Sequence, residues 1–231
     1  MDAAEFDKFA EEYMAAHKAN LKISGEDPDF FARYKLDEIE RLWKAKGFKQ
    51  PARVLDFGCG IGSSLPHLQR IFPQAQVVGL DVSEKSLQIA ATRFPGVAEL
   101  VAYDGETLPF EPERFDLVFS SCVFHHIDHG RHEAILGELR KILSDDGHMV
   151  IFEHNPINPV TRYIVATCPF DENAVLVPAP ALKATEIRAG FSAVETRFLG
   201  FFPGPLSALR PLEPALGFLP IGAQYYTLAH A

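Results

Sequence analysis

In VLDFGCGIGSS, Val54 to Ser64, an apolar run closes on glycines at 58, 60 and 62 ahead of a helical pattern, and few folds accommodate that sequence. Glycine is a steric requirement in such a place. A tight strand-to-helix turn needs residues without Cβ, so that backbone N–H groups near a helix N-terminus can approach a ligand closely. Further on, QVVGLDVS closes its apolar run on Asp81, and an acid there suits the diol of a ribose. The glycines are spaced GxGxG where the dinucleotide fingerprint is GxGxxG, and position 63 is Ser63. That departure favours a ligand without a pyrophosphate.

From Arg53 onward, short apolar runs alternate with helical stretches, the signature of βαβ units and a parallel sheet. The pattern predicts strands over 52–57, 76–81, 97–102, 115–121 and 147–153, with helices over 62–72, 84–94 and 130–143. After Pro159 it predicts helices over 159–166 and 180–189 and strands over 192–201 and 223–230, which complete a mixed sheet. Ahead of Arg53 come an amphipathic helix over 3–19, the break NLKISGED from Asn20 to Asp27, and a helix from Asp27-Pro28 to about Lys46, ended by Gly47. The expected plan is a helical lid over 1–50, with Gly25 as its hinge, and an α/β domain over 51–231. Insertions on the substrate side are expected at about 155–190 and 199–222. Leu199 to Gly222 carries two charges, Arg210 and Glu213, and five prolines, so it reads as an apolar insertion over the sheet edge or the substrate site.

Composition narrows the partners. With 22 Lys plus Arg against 31 Asp plus Glu, a net charge of -9 and no basic run, the chain lacks the cationic groove that a phosphate backbone needs. No apolar run reaches spanning length, and the start, MDAAEFDKFAEEY, is acidic where a signal peptide would be basic, so a cytoplasmic enzyme is expected. Three cysteines without a CxxC pair argue against a disulfide framework or a structural zinc site.

The ordered set of motifs from Arg53 to Pro156 resembles the class I S-adenosylmethionine-dependent methyltransferases. The resemblance implies a Rossmann-like seven-stranded mixed sheet, mostly parallel with the last strand antiparallel, and helices on both faces. It implies S-adenosyl-L-methionine as cofactor and S-adenosyl-L-homocysteine as product. Asp56, Gly58, Cys59 and Gly60 would form the loop around the methionine part, Asp81 would bind the ribose hydroxyls, and Val82 would lie against adenine. In VAYDGETLPF, Asp104 occupies the position that bonds the adenine amino group, with Gly105 and Glu106 beside it. FDLVFSSCVFHHI would run under the cofactor and turn at Ser121 and Cys122.

The acceptor side is less legible. HHIDHGRH crowds four histidines around Asp128, which invites a metal, but the HxHxDH pattern of metallo-β-lactamase-like hydrolases fails at Phe124 and no further ligands can be placed beside it. The expectation is therefore no metal, with His129 and His132 on a solvated first helical turn and His125 or His126 facing the active site as a general base. Glu153 and His154 end the fifth strand at the ligand-binding edge, where alternation points one of the two inward. Thr161, Arg162 and Asp171 are further candidates for substrate contact. The function expected is methyl transfer to a small-molecule acceptor, of apolar character, with no nucleic acid and no spanning segment, and a homodimer surface as an option at Leu199–Gly222. A regulatory protein that binds the cofactor without turnover, and an NAD(P)-dependent oxidoreductase, are the alternatives.

Overall fold

The structure is a computed structural model that describes residues 28–231. The helix expected over 3–19, the NLKISGED break and its hinge at Gly25 lie outside the described residues. The first described helix, α1 (Pro28–Lys46), has Asp29 in its first turn and Lys44 and Lys46 in its last, each complementing the helix dipole. Leu36, Ile39 and Trp43 recur at helical spacing and are buried. Gly47, at φ +67°, stops the helix, and Phe48 N–H bonds back to Trp43 O at 3.1 Å while its ring meets Trp43.

The remaining regular elements are β1 (Arg53–Phe57), α2 (Leu65–Ile71), β2 (Gln76–Asp81), α3 (Glu84–Arg93), β3 (Glu99–Ala102), β4 (Phe115–Ser121), α4 (His132–Ile142), β5 (Leu143–His154), α5 (Pro159–Thr167), α6 (Ala179–Arg188), β6 (Ser192–Leu199), α7 (Glu213–Leu216) and β7 (Gln224–His230). They form a seven-stranded sheet in the order β3-β2-β1-β4-β5-β7-β6. Strands β1 to β5 pair in parallel, while β7 runs antiparallel to both β5 and β6. This is the expected mixed sheet. Strands β3 and β6 are each two residues shorter than expected, and β5 differs most: it begins at Leu143, not near 147, because Leu143 pairs with Phe115 before a register shift brings His148 opposite Leu117.

Two apolar layers cover the sheet. One joins β-strand side chains such as Leu55, Phe57 and Ile151 to α4 and α6, and the other joins Val54, Phe119 and Phe152 to α1 and α2. The Pro-rich segment packs at the β6 edge. Buried Glu213 accepts Gly200 N–H at 3.0 Å and Phe202 N–H at 3.2 Å and is hydrogen-bonded to the Tyr34 hydroxyl of α1, while Phe198 N–H donates to Gly217 O at 2.8 Å. Because strand order reverses between β1 and β4, their carboxyl ends open the crevice where sheets of this kind bind ligands.

Candidate active site

The loop after β1 is built around the crevice. Gly58 sits at φ +75°, and a Cβ there would lie 2.5 Å from Val123 Cγ2, so only glycine lets the β1 and β4 loops approach this closely. Gly60, at φ +51°, faces open space, and its N–H donates to Asp81 Oδ2 at 2.8 Å. Asp81 Oδ1 accepts Ser83 N–H at 2.9 Å, so two backbone donors fix this carboxylate at the end of β2. Asp56 is fully enclosed, and its Oδ2 has no hydrogen-bond partner in the protein. Burial first, and the neighbouring Asp81 charge second, raise its carboxyl to about 8, with Lys35 opposing. An orphaned buried acceptor beside an open glycine and a fixed carboxylate is suited to a ligand bearing N–H or O–H donors and positive charge.

The other expected cofactor residues are placed variously. Val82 is buried beside Asp81. Cys59 turns its thiol into the core against Gly79, so only its backbone borders the loop. Asp104 is exposed, and its Oδ1 closes a turn by accepting Glu106 N–H at 2.8 Å and Thr107 N–H at 2.9 Å, which together lower its carboxyl. Gly105 is buried at φ +81°, with its carbonyl accepting from Arg131 at 2.7 Å, and Glu106 is exposed. Ser121 Oγ accepts from Lys35 Nζ at 2.7 Å.

At the ends of β4 and β5 lies a second polar cluster. Glu153, with no exposure, accepts Val123 N–H at 3.0 Å and Phe124 N–H at 2.7 Å through Oε1, while Oε2 lies 2.6 Å from His125 Nδ1. Burial opposes the charge on both groups, but their mutual attraction wins, holding Glu153 near about 2 and lifting His125 to about 10. His126 is lowered to about 4 by burial and by the charge of His125. The strand-alternation expectation needs correcting: both Glu153 and His154 reach His125, because β5 ends here and the His154 ring sits 5.2 Å from the His125 ring while Glu153 bonds its Nδ1. His132 also departs from expectation. It is buried, with Nε2 within 2.9 Å of Phe124 O and 3.1 Å of Ile127 O, and so braces the turn, whereas His129 is exposed as expected.

Cys122 stands at φ +59°, a strained conformation for a side chain with Cβ. Its Sγ lies 3.2 Å from Lys35 Nζ. Burial pushes the thiol up, but His154 and Lys35 outweigh it and bring it down to about 6. Lys35 escaped sequence reasoning. It lies mid-helix in a long amphipathic pattern, and only the packing of α1 across the sheet brings its ammonium to the end of β4. Asp171 joins the cluster through the turn Pro169–Asp171, whereas Thr161 bonds Ala223 O at 2.8 Å and Arg162 is exposed.

Comparison with known proteins agrees with this geometry. Residues 54–147 match the family described as Methyltransferase domain. A trans-aconitate 2-methyltransferase of Methylobacterium nodulans is 35% identical over 146 residues, covering 62% of this chain and 54% of that protein. A demethylmenaquinone methyltransferase of Thermotoga maritima is 34% identical over 108 residues, covering 47% of this chain and 46% of its own length. The chain thus spans about half the length of these curated relatives. Among solved structures, a SAM-dependent methyltransferase of Thermotoga maritima, described as a possible histamine N-methyltransferase, superposes with TM-score 0.67 at 19% identity over 98% of both chains, a likeness of fold. With the glycine loop, the fixed Asp81 and the sheet order in place, residues 54–147 carry a methyltransferase domain, and the described chain has the fold of S-adenosylmethionine-dependent methyltransferases.

Proposed function

We propose that this protein transfers a methyl group from S-adenosylmethionine to a small-molecule acceptor. The unpartnered, buried Oδ2 of Asp56 beside open Gly60 carries the reading, because it asks for the donors and positive charge of that cofactor's amino-acid end. Asp81 would take the ribose hydroxyls on its two pre-fixed oxygens, and the backbone of Gly58 and Gly60 would line the loop. Asp104 and Gly105, after β3, and Val82 and Ser121, at the strand ends, would border the same crevice. When bound, the cofactor supplies a sulfonium methyl group for in-line displacement.

The rest is positioning and proton handling by this chain. Glu153 has both oxygens engaged, so it is a positioning residue that holds the β4 loop and the His125 ring. His125 carries its charge between two carboxylates, which suits it to orient an acceptor and not to remove a proton. His126, lowered to about 4, is neutral near pH 7, and with His154 it supplies the imidazoles that can accept a proton from a hydroxyl or amine nucleophile. Among the described residues no helix is long and apolar enough to cross a membrane. Leu206, Leu212, Phe218 and Ile221 are exposed and support either an apolar acceptor entrance or a homodimer face.

The test is incubation with methyl-labelled cofactor and a panel of carboxylates, phenols and quinols, read as labelled product and S-adenosylhomocysteine. Turnover with one class supports the reading. Cofactor binding with no turnover across the panel would favour a regulatory protein.

A further inference from the structure

His125 Nε2 and His126 Nε2 each lie 3.5 Å from Asp171 Oδ1, and the three ligating atoms fall within 4.8 Å of one another. At that distance neither contact is a good charge-assisted hydrogen bond, which runs to about 2.7–2.9 Å. It is close to the edge of a tetrahedron of N and O ligands around an ion with bonds of about 2.0–2.1 Å, an edge of roughly 3.3–3.4 Å.

The surroundings are arranged in the same sense. Glu153 Oε2, 2.6 Å from His125 Nδ1, holds the proton on that nitrogen and turns Nε2 towards Asp171, the carboxylate–imidazole relation that orients metal-binding histidines. The Cys168 thiol hydrogen-bonds Asp171 and steadies its carboxylate. Val175 N–H donates to His125 O at 2.9 Å, fastening the segment that bears Asp171 to the turn Phe124–His126 that bears both imidazoles. Glu153 and Asp171 also bring two negative charges into a largely buried space, and a dication on neutral imidazoles would balance them.

We propose that His125, His126 and Asp171 bind a divalent first-row transition cation of the zinc or iron(II) class, with Glu153 as the outer carboxylate that positions His125. Two imidazoles and one carboxylate form a borderline donor set that such ions prefer to magnesium or calcium. Binding displaces the His125 Nε2 proton to solvent and changes no other bond. Three protein ligands leave a position for water or for an oxygen of the acceptor. His126 then holds the ion, and His154 is the imidazole left to take a proton. The site stands on its own geometry, whether or not the crevice beside it binds the cofactor.

The experiment is metal analysis of the full-length protein as purified, followed by chelation and titration with cobalt(II), in competition with zinc, iron(II) or magnesium. Wild type should take up about one equivalent, with visible bands of a low-coordinate cobalt site that zinc or iron(II) erases and magnesium does not. Asp171→Ala and His126→Ala should each weaken binding roughly tenfold or more, while His129→Ala leaves it unchanged. Circular dichroism and a melting curve confirm that each variant is folded, and added zinc should raise the melting temperature of wild type but not of Asp171→Ala. Absence of cobalt bands in folded wild type, or equal binding in wild type, His126→Ala and Asp171→Ala, would overturn the proposal.

Discussion

Glu153 Oε2 lies 2.6 Å from His125 Nδ1, and the other oxygen of the same carboxylate accepts two consecutive backbone N–H groups, those of Val123 and Phe124. One fully buried side chain therefore fixes the ring, the turn that carries it and the loop that closes against Gly58.

Glu153→Gln removes the charge that His125 faces: with the carbonyl kept by the two backbone N–H donors, the amide NH2 is set against the Nδ1–H of His125. Breaking a buried charged pair from one side costs about 3–5 kcal/mol, so a clear loss of stability is expected in denaturant melts. Cofactor affinity in the fraction that remains folded should change little, because Asp56 and Asp81 lie on other strands. A Glu153→Gln protein as stable as wild type would contradict the role given to this carboxylate.

Gly58 and Gly60 separate packing from ligand approach. Gly58→Ala adds a Cβ 2.5 Å from Val123 Cγ2 at a positive φ, and it should lower stability by about 1–3 kcal/mol. Gly60→Ala meets nothing within 4 Å in the protein, so its stability cost should be the smaller, while cofactor affinity should fall because the new methyl points into the crevice. Calorimetric binding and thermal melts of the two variants side by side would show whether the effects divide in this way.

Lys35→Met tests the reach of α1 into the site. The ammonium 3.2 Å from Cys122 Sγ helps bring that thiol down to about 6, so its removal should raise the thiol above that value and slow alkylation by iodoacetamide near pH 7. Alkylation rates followed against pH, with Cys59→Ser and Cys168→Ser present to isolate Cys122, provide the comparison. An unchanged profile would place Lys35 away from the thiol in solution.

Glu186 makes stability depend on pH. Burial, partly offset by its hydrogen bond from Thr227 and by Lys183, raises its carboxyl from 4.5 to about 8. The folded chain then holds a proton that the unfolded chain has released, so the contribution of this group to stability falls as pH rises from about 4.5 to about 8. Each tenfold change in proton affinity is worth about 1.4 kcal/mol. Glu186→Gln keeps the acceptor for Thr227 and should flatten this slope, leaving the variant the more stable protein at pH 8, as urea melts at pH 5 and pH 8 would reveal.

The sheet was legible because its signals are local. Apolar runs such as 76–81 and 115–121 end at the same residues in the structure, and the glycines and Asp81 sit where a strand-to-helix turn requires them. What escaped the sequence depends on contacts across the fold. Lys35, 87 residues from Cys122, meets it only through packing of α1, and Asp171 meets His125 and His126 only because the Pro169–Asp171 turn folds back over the β4 loop. His132 looked solvated because helix polarity says nothing of the two carbonyls its ring bridges. The start of β5 was missed because the DG turn at 146–147 masks a strand that continues through a register shift.

The most direct test of the central claim is calorimetric titration of the purified protein with S-adenosylmethionine, S-adenosylhomocysteine and NAD in parallel, repeated on Asp81→Ala. We expect saturable binding of both adenosyl ligands, none of NAD, and a loss of about 1.5–3 kcal/mol in the variant, the worth of hydrogen bonds to a charged acceptor. Failure of both adenosyl ligands to bind folded wild-type protein, or NAD binding in their place, would contradict the account.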